Sequence, residues 1–197
     1  MDTGIDTEFV RQNYQKMTDQ ELIRVATQDV CGLTIEAQEV VKEEIKQRNL
    51  DSNIIRGVEV QNRSLSIEDL DKYCVIIQKL NCPACQSSSQ KLNATLTGEV
   101  VSYIFLTRYK KKLHIACPDC LDKANNAALT KTAIFGWWAI PWGTIRTIQS
   151  ILLNLKSKRT NHLDTPNDFL RSFVLSKVGQ LETYKDNKEK IRQLISE

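Results

Sequence analysis

The 197-residue sequence has little histidine and no long uncharged segment. Its two histidines, His114 and His162, are far apart along the chain, and neither has an obvious partner. We therefore identify no catalytic site and no small-molecule substrate. The tryptophan-containing stretch between Lys131 and Arg146 holds 14 uncharged residues. This is fewer than the ~20 residues that a helix needs to span a bilayer.

The N-terminus lacks a basic start followed by an apolar stretch, so we expect no signal peptide. Six cysteines do not resemble a secreted disulfide framework, because four of them form two close pairs. Cys31 and Cys74 are isolated, and we expect both to be buried thiols without chemistry. These features predict a reducing, cytoplasmic compartment.

Composition is ordinary for a soluble globular protein, with 41% hydrophobic and 26% charged residues. The net charge of +3 conceals an uneven distribution. Residues 1–72 carry 9 basic and 15 acidic side chains, whereas residues 73–160 carry 12 basic and 3 acidic ones. The basic segment suits an anionic partner, although a solvated basic surface explains it equally well.

Two Cys-x-x-Cys pairs give the most specific chemical signal. The four cysteines are Cys82, Cys85, Cys117 and Cys120. Two such pairs predict a tetrahedral four-thiolate site for Zn²⁺, and iron is not excluded because it uses the same ligands. Four thiolates leave no open position for water or substrate, so the predicted role is structural and the protein is predicted not to be an enzyme.

Thiol–disulfide oxidoreduction is the alternative role for a Cys-Pro-x-Cys sequence. Such enzymes place the first thiol at a helix N-terminus, which lowers its pKa. Residues 87–90 after the first pair do not open a convincing helix, and no βαβ pattern surrounds it. We therefore consider a redox enzyme the less favoured interpretation.

Periodicity predicts an α+β fold, in which a small antiparallel zinc-ribbon sheet is flanked by an N-terminal helical hairpin and by C-terminal helices. Thr18 and Thr34 cap the two helices of the hairpin. Strands are predicted at residues 74–77, 91–97, 100–106 and 113–116, with turns at Gly98 and at residues 110–112. The predicted segments are a helical hairpin (1–50), a linker with a short helical turn (51–72), a zinc ribbon (73–125), a tryptophan-rich amphipathic segment (126–160) and C-terminal helices (165–197).

All three tryptophans lie between Gly136 and Gly143, directly before an amphipathic helix. The segment could fill a core, lie in a membrane interface or form a surface for a protein partner or a second copy. A position peripheral to the inner membrane is compatible with the basic residues that follow. The candidate contact residues are Trp137, Trp138, Trp142, Ile145, Ile148 and Leu152.

Nucleic-acid binding is a further possibility for the basic segment. Cations around one aromatic ring at a predicted hairpin tip could follow a phosphate backbone. A solvated turn has the same composition, so this interpretation also stays open. The candidate residues are Arg108, Tyr109, Lys110, Lys111 and Lys112.

The two cysteine pairs, the Gly-Trp-Trp-x-x-Pro-Trp-Gly segment from Gly136 to Gly143 and the Thr-Ile-Gln-Ser sequence at residues 147–150 occur in this order. This combination resembles a group of uncharacterised bacterial zinc-ribbon proteins. The resemblance implies the architecture and a bacterial origin but no activity, and Ala139 stands where glycine is usual in that group. Our leading hypothesis is a non-catalytic zinc scaffold or adaptor that binds a protein complex or the cytoplasmic membrane surface.

Overall fold

A computed structural model describes residues 7–103 and 106–196, which form two compact units. One unit comprises Met1–Tyr73 and Val174–Ile191, and the other comprises Cys74–Phe173 and Arg192–Glu197. The unit boundaries fall within helices. The elements are α1 (Thr7–Lys16), α2 (Asp19–Arg24), α3 (Ile35–Gln47), α4 (Ser52–Gln61), α5 (Ile67–Gln78), β1 (Asn93–Tyr103), β2 (Leu106–Ala116), α6 (Pro118–Phe135), α7 (Trp142–Lys158), α8 (Asp168–Tyr184) and α9 (Lys188–Ser196).

The first unit is helical, and the two capped helices predicted near its N-terminus are present. Thr18 and Glu21 form a capping box at the start of α2, and the Thr34 side chain accepts a hydrogen bond from Ala37 N at the start of α3. Short π and 3-10 turns continue α2 as far as Gly32. The core of this unit includes the fully buried side chains of Leu22, Val30, Val41, Ile45 and Val58.

Two predictions between residues 51 and 77 are wrong. Most of the expected linker is α4, which Asp51 caps and which buries Ile54 and Val58, four residues apart. The expected strand at 74–77 is part of α5, in which Cys74 and Ile77 are buried at helical spacing. A short run of β-branched residues does not distinguish a strand from a buried helix face.

The second unit contains a two-stranded antiparallel hairpin, paired from Asn93↔Ala116 to Tyr103↔Leu106. The mixed helical and antiparallel character is confirmed, but both predicted turn positions are wrong. Gly98 lies inside β1, paired with Lys111, and the position suits glycine because a Cβ there would lie 3.1 Å from both Leu153 and Ser150 of α7. Residues 110–112 lie within β2, because β1 ends at Tyr103 and β2 begins at Leu106.

Helices α6 and α7 pack on β1 largely through small and polar side chains. On α7 these are Gly143, Thr147, Ser150, Asn154 and Ser157. On α6 they are Asn125, Ala128 and Thr132, together with Leu121. The two helices return along the hairpin, so the chain passes from the cysteine pairs to the tryptophans along the length of α6.

The predicted C-terminal helices are present as α8 and α9, and α8 continues through Gly179 to Tyr184. A Cβ at Gly179 would lie 2.6 Å from Thr27 O and would overlap Gln61, so this glycine permits close packing within the first unit. Across residues 7–103 and 106–196, no helix combines the length and hydropathy needed to span a bilayer.

Candidate metal centre

The four predicted ligands come together in the second unit. The Sγ atoms of Cys82, Cys85, Cys117 and Cys120 all lie within 4.8 Å of one another. Cys85 Sγ and Cys117 Sγ are 3.6 Å apart. Zn–S bonds of about 2.3 Å at tetrahedral angles place sulfur atoms roughly 3.8 Å apart. The donor set and its spacing therefore fit a four-thiolate metal ion.

The first pair lies on a tight loop and does not follow a strand as expected. Cys82 N donates to Ser87 O, and Gln86 N donates to Cys82 O, both at 2.9 Å. Gln86 adopts a left-handed φ of 63°, which closes the loop after Cys85. These bonds turn the two thiols of the pair toward one point.

The second pair joins β2 to α6. Cys117 is the N-cap residue of α6, Pro118 occupies the first helical position and Leu121 N donates to Cys117 O at 3.0 Å. The partial positive charge of a helix N-terminus stabilises a thiolate. The expected strand before this pair is confirmed. The helix start was missed, although proline followed by Asp119 is a typical N-terminal signal.

Backbone N–H groups from both cysteine pairs influence the pKa of Cys82. Burial by itself would raise the pKa of Cys82, but hydrogen bonds from the backbone of Cys117, Cys85 and Ala84 lower it to about 7. One of these contacts is Cys117 N to Cys82 Sγ at 3.4 Å. Burial raises the pKa of Cys117, and burial together with the neighbouring thiols raises that of Cys120. Cys82 therefore ionises readily, whereas Cys117 and Cys120 need a cation to hold a thiolate charge.

The helix start at Cys117 is one feature that thiol–disulfide enzymes also use. Here the other pair lies within the same cluster, and burial opposes ionisation of Cys117. Four converging thiols are the geometry of a metal site, so the structure favours that interpretation. Cys74 is buried as expected. Cys31 is exposed, contrary to expectation, and its thiol donates to Gln61 O at 3.3 Å.

The histidines lie outside the cluster of four cysteines. His114 is half-buried on β2, with Nε2 3.1 Å from Thr97 Oγ1, and burial followed by the Lys112 charge lowers its pKa. His162 has a partner that the sequence did not reveal, because its Nε2 lies 3.2 Å from Asp122 Oδ2.

The tryptophans do not fill a core. Trp137, Trp138 and Trp142 are 42%, 70% and 69% exposed, which contradicts the core interpretation. The Nε1 atoms of Trp137 and Trp138 donate to Ala133 O and Ile134 O in the last turn of α6. The other candidate contact residues, Ile145, Ile148 and Leu152, are also exposed.

The proposed nucleic-acid residues occupy β2 and not a hairpin tip. Tyr109 pairs with Val100 across the hairpin. Two cations lie over its ring, with Lys111 Nζ 5.5 Å and the Arg146 guanidinium 5.7 Å from the centroid. A ring already covered in this way offers little face for a base to stack on, so the geometry does not favour this alternative.

The structure thus brings the cysteines together at one end of the hairpin and exposes the tryptophans beyond the far end of α6. Comparisons with protein-family models, with curated proteins and with solved structures find no match.

Proposed function

We propose that the protein is a non-catalytic scaffold or adaptor built around a structural zinc centre. The convergence of four cysteine Sγ atoms within 4.8 Å carries the proposal. Zinc is the ion that such sites usually hold in a reducing compartment, and iron remains the alternative occupant. The arrangement of pair, hairpin and pair supports a zinc-ribbon-like module with one hairpin.

A structural role follows from the ligand count. Four thiolates complete a tetrahedral shell, so a substrate or a water molecule has no position on the ion. The ion would instead join the loop after α5 to the start of α6. Because that junction fixes where α6 leaves the hairpin, it also fixes the direction of the tryptophan segment.

The adaptor role rests on the exposed apolar surface beyond α6. Soluble monomers rarely expose large contiguous apolar surface without using it. Trp138 is 70% and Ile140 is 87% exposed, and both belong to the segment that joins α6 to α7. We therefore assign binding, and not catalysis, to this segment.

Metal analysis of cysteine variants tests the proposal. The wild-type chain, purified without added metal, is expected to carry one zinc ion per chain by elemental analysis. The Cys117→Ser variant should carry less than half of the wild-type amount of zinc per chain. It should also unfold at a lower temperature, because one ligand is missing. Cys31→Ser is the matched control, since Cys31 lies outside the cluster and serine keeps a donor for Gln61 O.

Equal metal content in Cys117→Ser and in the wild type would contradict the proposal. Wild-type chain without metal, prepared under reducing conditions, would contradict it equally. Iron at one ion per chain would retain the structural centre and change only the identity of the metal.

A further inference from the structure

Helix α7 buries its polar face and exposes its apolar face. Its buried face carries the small and polar residues Thr147, Ser150 and Asn154, while Ile145 and Leu152 are among the side chains that it exposes. At about 100° per residue, the centres of these two faces lie roughly 180° apart around the helix. A surface helix of a soluble protein normally shows the reverse arrangement.

Specific hydrogen bonds hold α7 in this orientation. Asn154 Nδ2 donates to Gly98 O at 2.7 Å, and Ser150 Oγ donates to the same carbonyl at 2.6 Å. Gly98 N and Asn125 Nδ2 both donate to Asn154 Oδ1, each at 3.3 Å. The polar side chains are thus bonded to β1 and α6, and the apolar face of α7 has to point outward.

The outward face of α7 joins the apolar end of the hairpin. Ser102 Oγ donates to Gly136 O at 2.8 Å, which brings the last residues of β1 to the start of the tryptophan segment. Three stretches of chain that these contacts connect carry exposed apolar side chains, and together we call these side chains the docking face. They are Tyr103, Leu106, Ile134, Phe135, Trp137, Trp138, Ile140, Trp142, Ile145, Ile148, Leu152 and Leu155.

The charge of the surrounding chain favours an anionic partner for the docking face. Residues 93–161 carry ten basic and three acidic side chains. Two of the acids are already engaged, Glu99 with Lys131 Nζ at 2.6 Å and Asp122 with His162. Two copies of this chain meeting face to face would bring the same cations together, whereas an anionic lipid surface complements them.

We propose that the docking face binds the interface of an anionic lipid bilayer. Tryptophan side chains favour the headgroup level, and the exposed Lys156 and Arg159 extend the exposed stripe of α7 with cations that suit lipid phosphates. The inference deepens the proposed function by naming the partner of the adaptor surface. Since α6 is 18 residues long, about 27 Å of helix separates the metal centre from the tryptophans.

Vesicle flotation tests the inference with the metal-loaded full chain. We expect flotation with vesicles of phosphatidylcholine and phosphatidylglycerol, and at least tenfold weaker binding to phosphatidylcholine alone or at high salt. The double variant Trp138→Ser/Leu152→Ser should bind anionic vesicles at least tenfold more weakly than the wild type. The control is Ile35→Ser/Ile67→Ser, which removes two exposed apolar side chains elsewhere and should float like the wild type.

Intrinsic fluorescence gives a second readout, because all three tryptophans of the chain belong to the docking face. Their emission should shift to shorter wavelength on addition of anionic vesicles. Sedimentation without lipid measures self-association on the same samples. A dimer that forms through the docking face and does not float would assign the face to a second copy and overturn the inference.

Equal flotation of the Trp138→Ser/Leu152→Ser variant would also overturn the inference. Metal content, measured on every sample, separates this inference from the proposed function. A metal-loaded chain that does not float with anionic vesicles contradicts only the lipid inference. A chain that floats with these vesicles but carries no metal contradicts only the zinc centre.

Discussion

At the residue scale, two glycines set the geometry of the tryptophan segment. A Cβ at Gly136 would overlap Thr147 Oγ1 and lie 2.6 Å from Thr132 O. A Cβ at Gly143 would lie 2.8 Å from Ser102 Oγ and 3.0 Å from Gly136 O. The end of α6, the start of α7 and the end of β1 therefore approach one another more closely than a larger residue allows.

Alanine at position 136 should destabilise the second unit. We expect Gly136→Ala to lower the free energy of unfolding by about 1–3 kcal/mol, because the new methyl group overpacks a closed contact. Gly32→Ala is the matched control, since no atom lies within 4 Å of a Cβ there. Urea unfolding measures both, and an equal effect of the two substitutions would show that the close contact is absent.

Glu182 gives the first unit an acid-dependent contribution to stability. Burial would raise the pKa of Glu182, but hydrogen bonds from Lys185 and Tyr73 lower it below its ordinary value of 4.5. The Tyr73 hydroxyl lies 2.9 Å from Glu182 Oε2, and burial together with this carboxylate raises the pKa of Tyr73 to about 12. A lowered carboxyl pKa stabilises the fold above the unfolded-state pKa, and this stabilisation is lost as the pH falls through the folded-state pKa.

The Glu182→Gln variant isolates this contribution. We expect the wild type to be more stable than the variant by about 1–2 kcal/mol at pH 7, with the difference vanishing between about pH 5 and pH 3. Thermal unfolding of both proteins across this range measures it, and acid loss of metal affects both alike. Glu59→Gln, an exposed acid on α4, serves as the control. A difference that stays constant with pH would refute the assignment.

At the element scale, the inversion of α7 reverses the usual ranking of substitutions. Asn154 is fully buried and Leu152 is 61% exposed. Asn154→Ala should cost about 2–3 kcal/mol of stability, because it leaves Gly98 N and Asn125 Nδ2 without their acceptor in the interior. Leu152→Ala should change stability by less than about 0.5 kcal/mol.

Chemical denaturation of the two variants tests this ranking. Gln149→Ala, which alters an exposed polar residue of the same helix, is the control. A larger loss for Leu152→Ala than for Asn154→Ala would mean that the apolar face of α7 is the one that packs inward. That result would also remove the basis of the docking face.

The sequence predicts the position of α7 but not its orientation. Apolar side chains from Ile145 to Leu155 recur at helical spacing, and this stripe indicates an amphipathic helix. Small and polar residues at 143, 147, 150, 154 and 157 recur just as regularly, and these are the ones that are buried. Periodicity gives the angle between two faces, whereas their partners decide which one is buried.

At the scale of the whole molecule, we expect the metal centre to stabilise the second unit more than the first. Its ligands connect the loop after α5 to the N-terminus of α6, and all four belong to the second unit. Chelation under reducing conditions should raise amide hydrogen exchange at residues 82–90 and in the first turns of α6. Amides of α3, around the buried Val41 and Ile45, should exchange as before.

Hydrogen exchange followed by mass spectrometry, with and without chelator, measures this regional difference. The Cys31→Ser chain should respond like the wild type. Unchanged exchange around the cysteine loop after verified loss of metal would contradict a structural role for the ion.

The candidate metal site was predictable from the sequence because paired cysteines are specific for metal binding. Spacing alone could not show that the second pair opens α6, or that the loop of the first pair follows α5. Exposure of the tryptophans was not predictable either, since an aromatic cluster has the same composition in a core and on a surface. Buried asparagines such as Asn154 determine which face of α7 packs inward. They do so through hydrogen bonds to residues distant in sequence, such as Gly98.

Native mass spectrometry of the intact chain tests the central claim most directly. The account predicts one zinc ion bound per chain under reducing conditions, and no gain or loss of disulfides when glutathione is varied within the reducing range. A metal-free chain that forms reversible disulfides within Cys82–Cys85 or Cys117–Cys120, and that reduces insulin, would contradict it. That outcome would identify a thiol–disulfide enzyme in place of a structural metal centre.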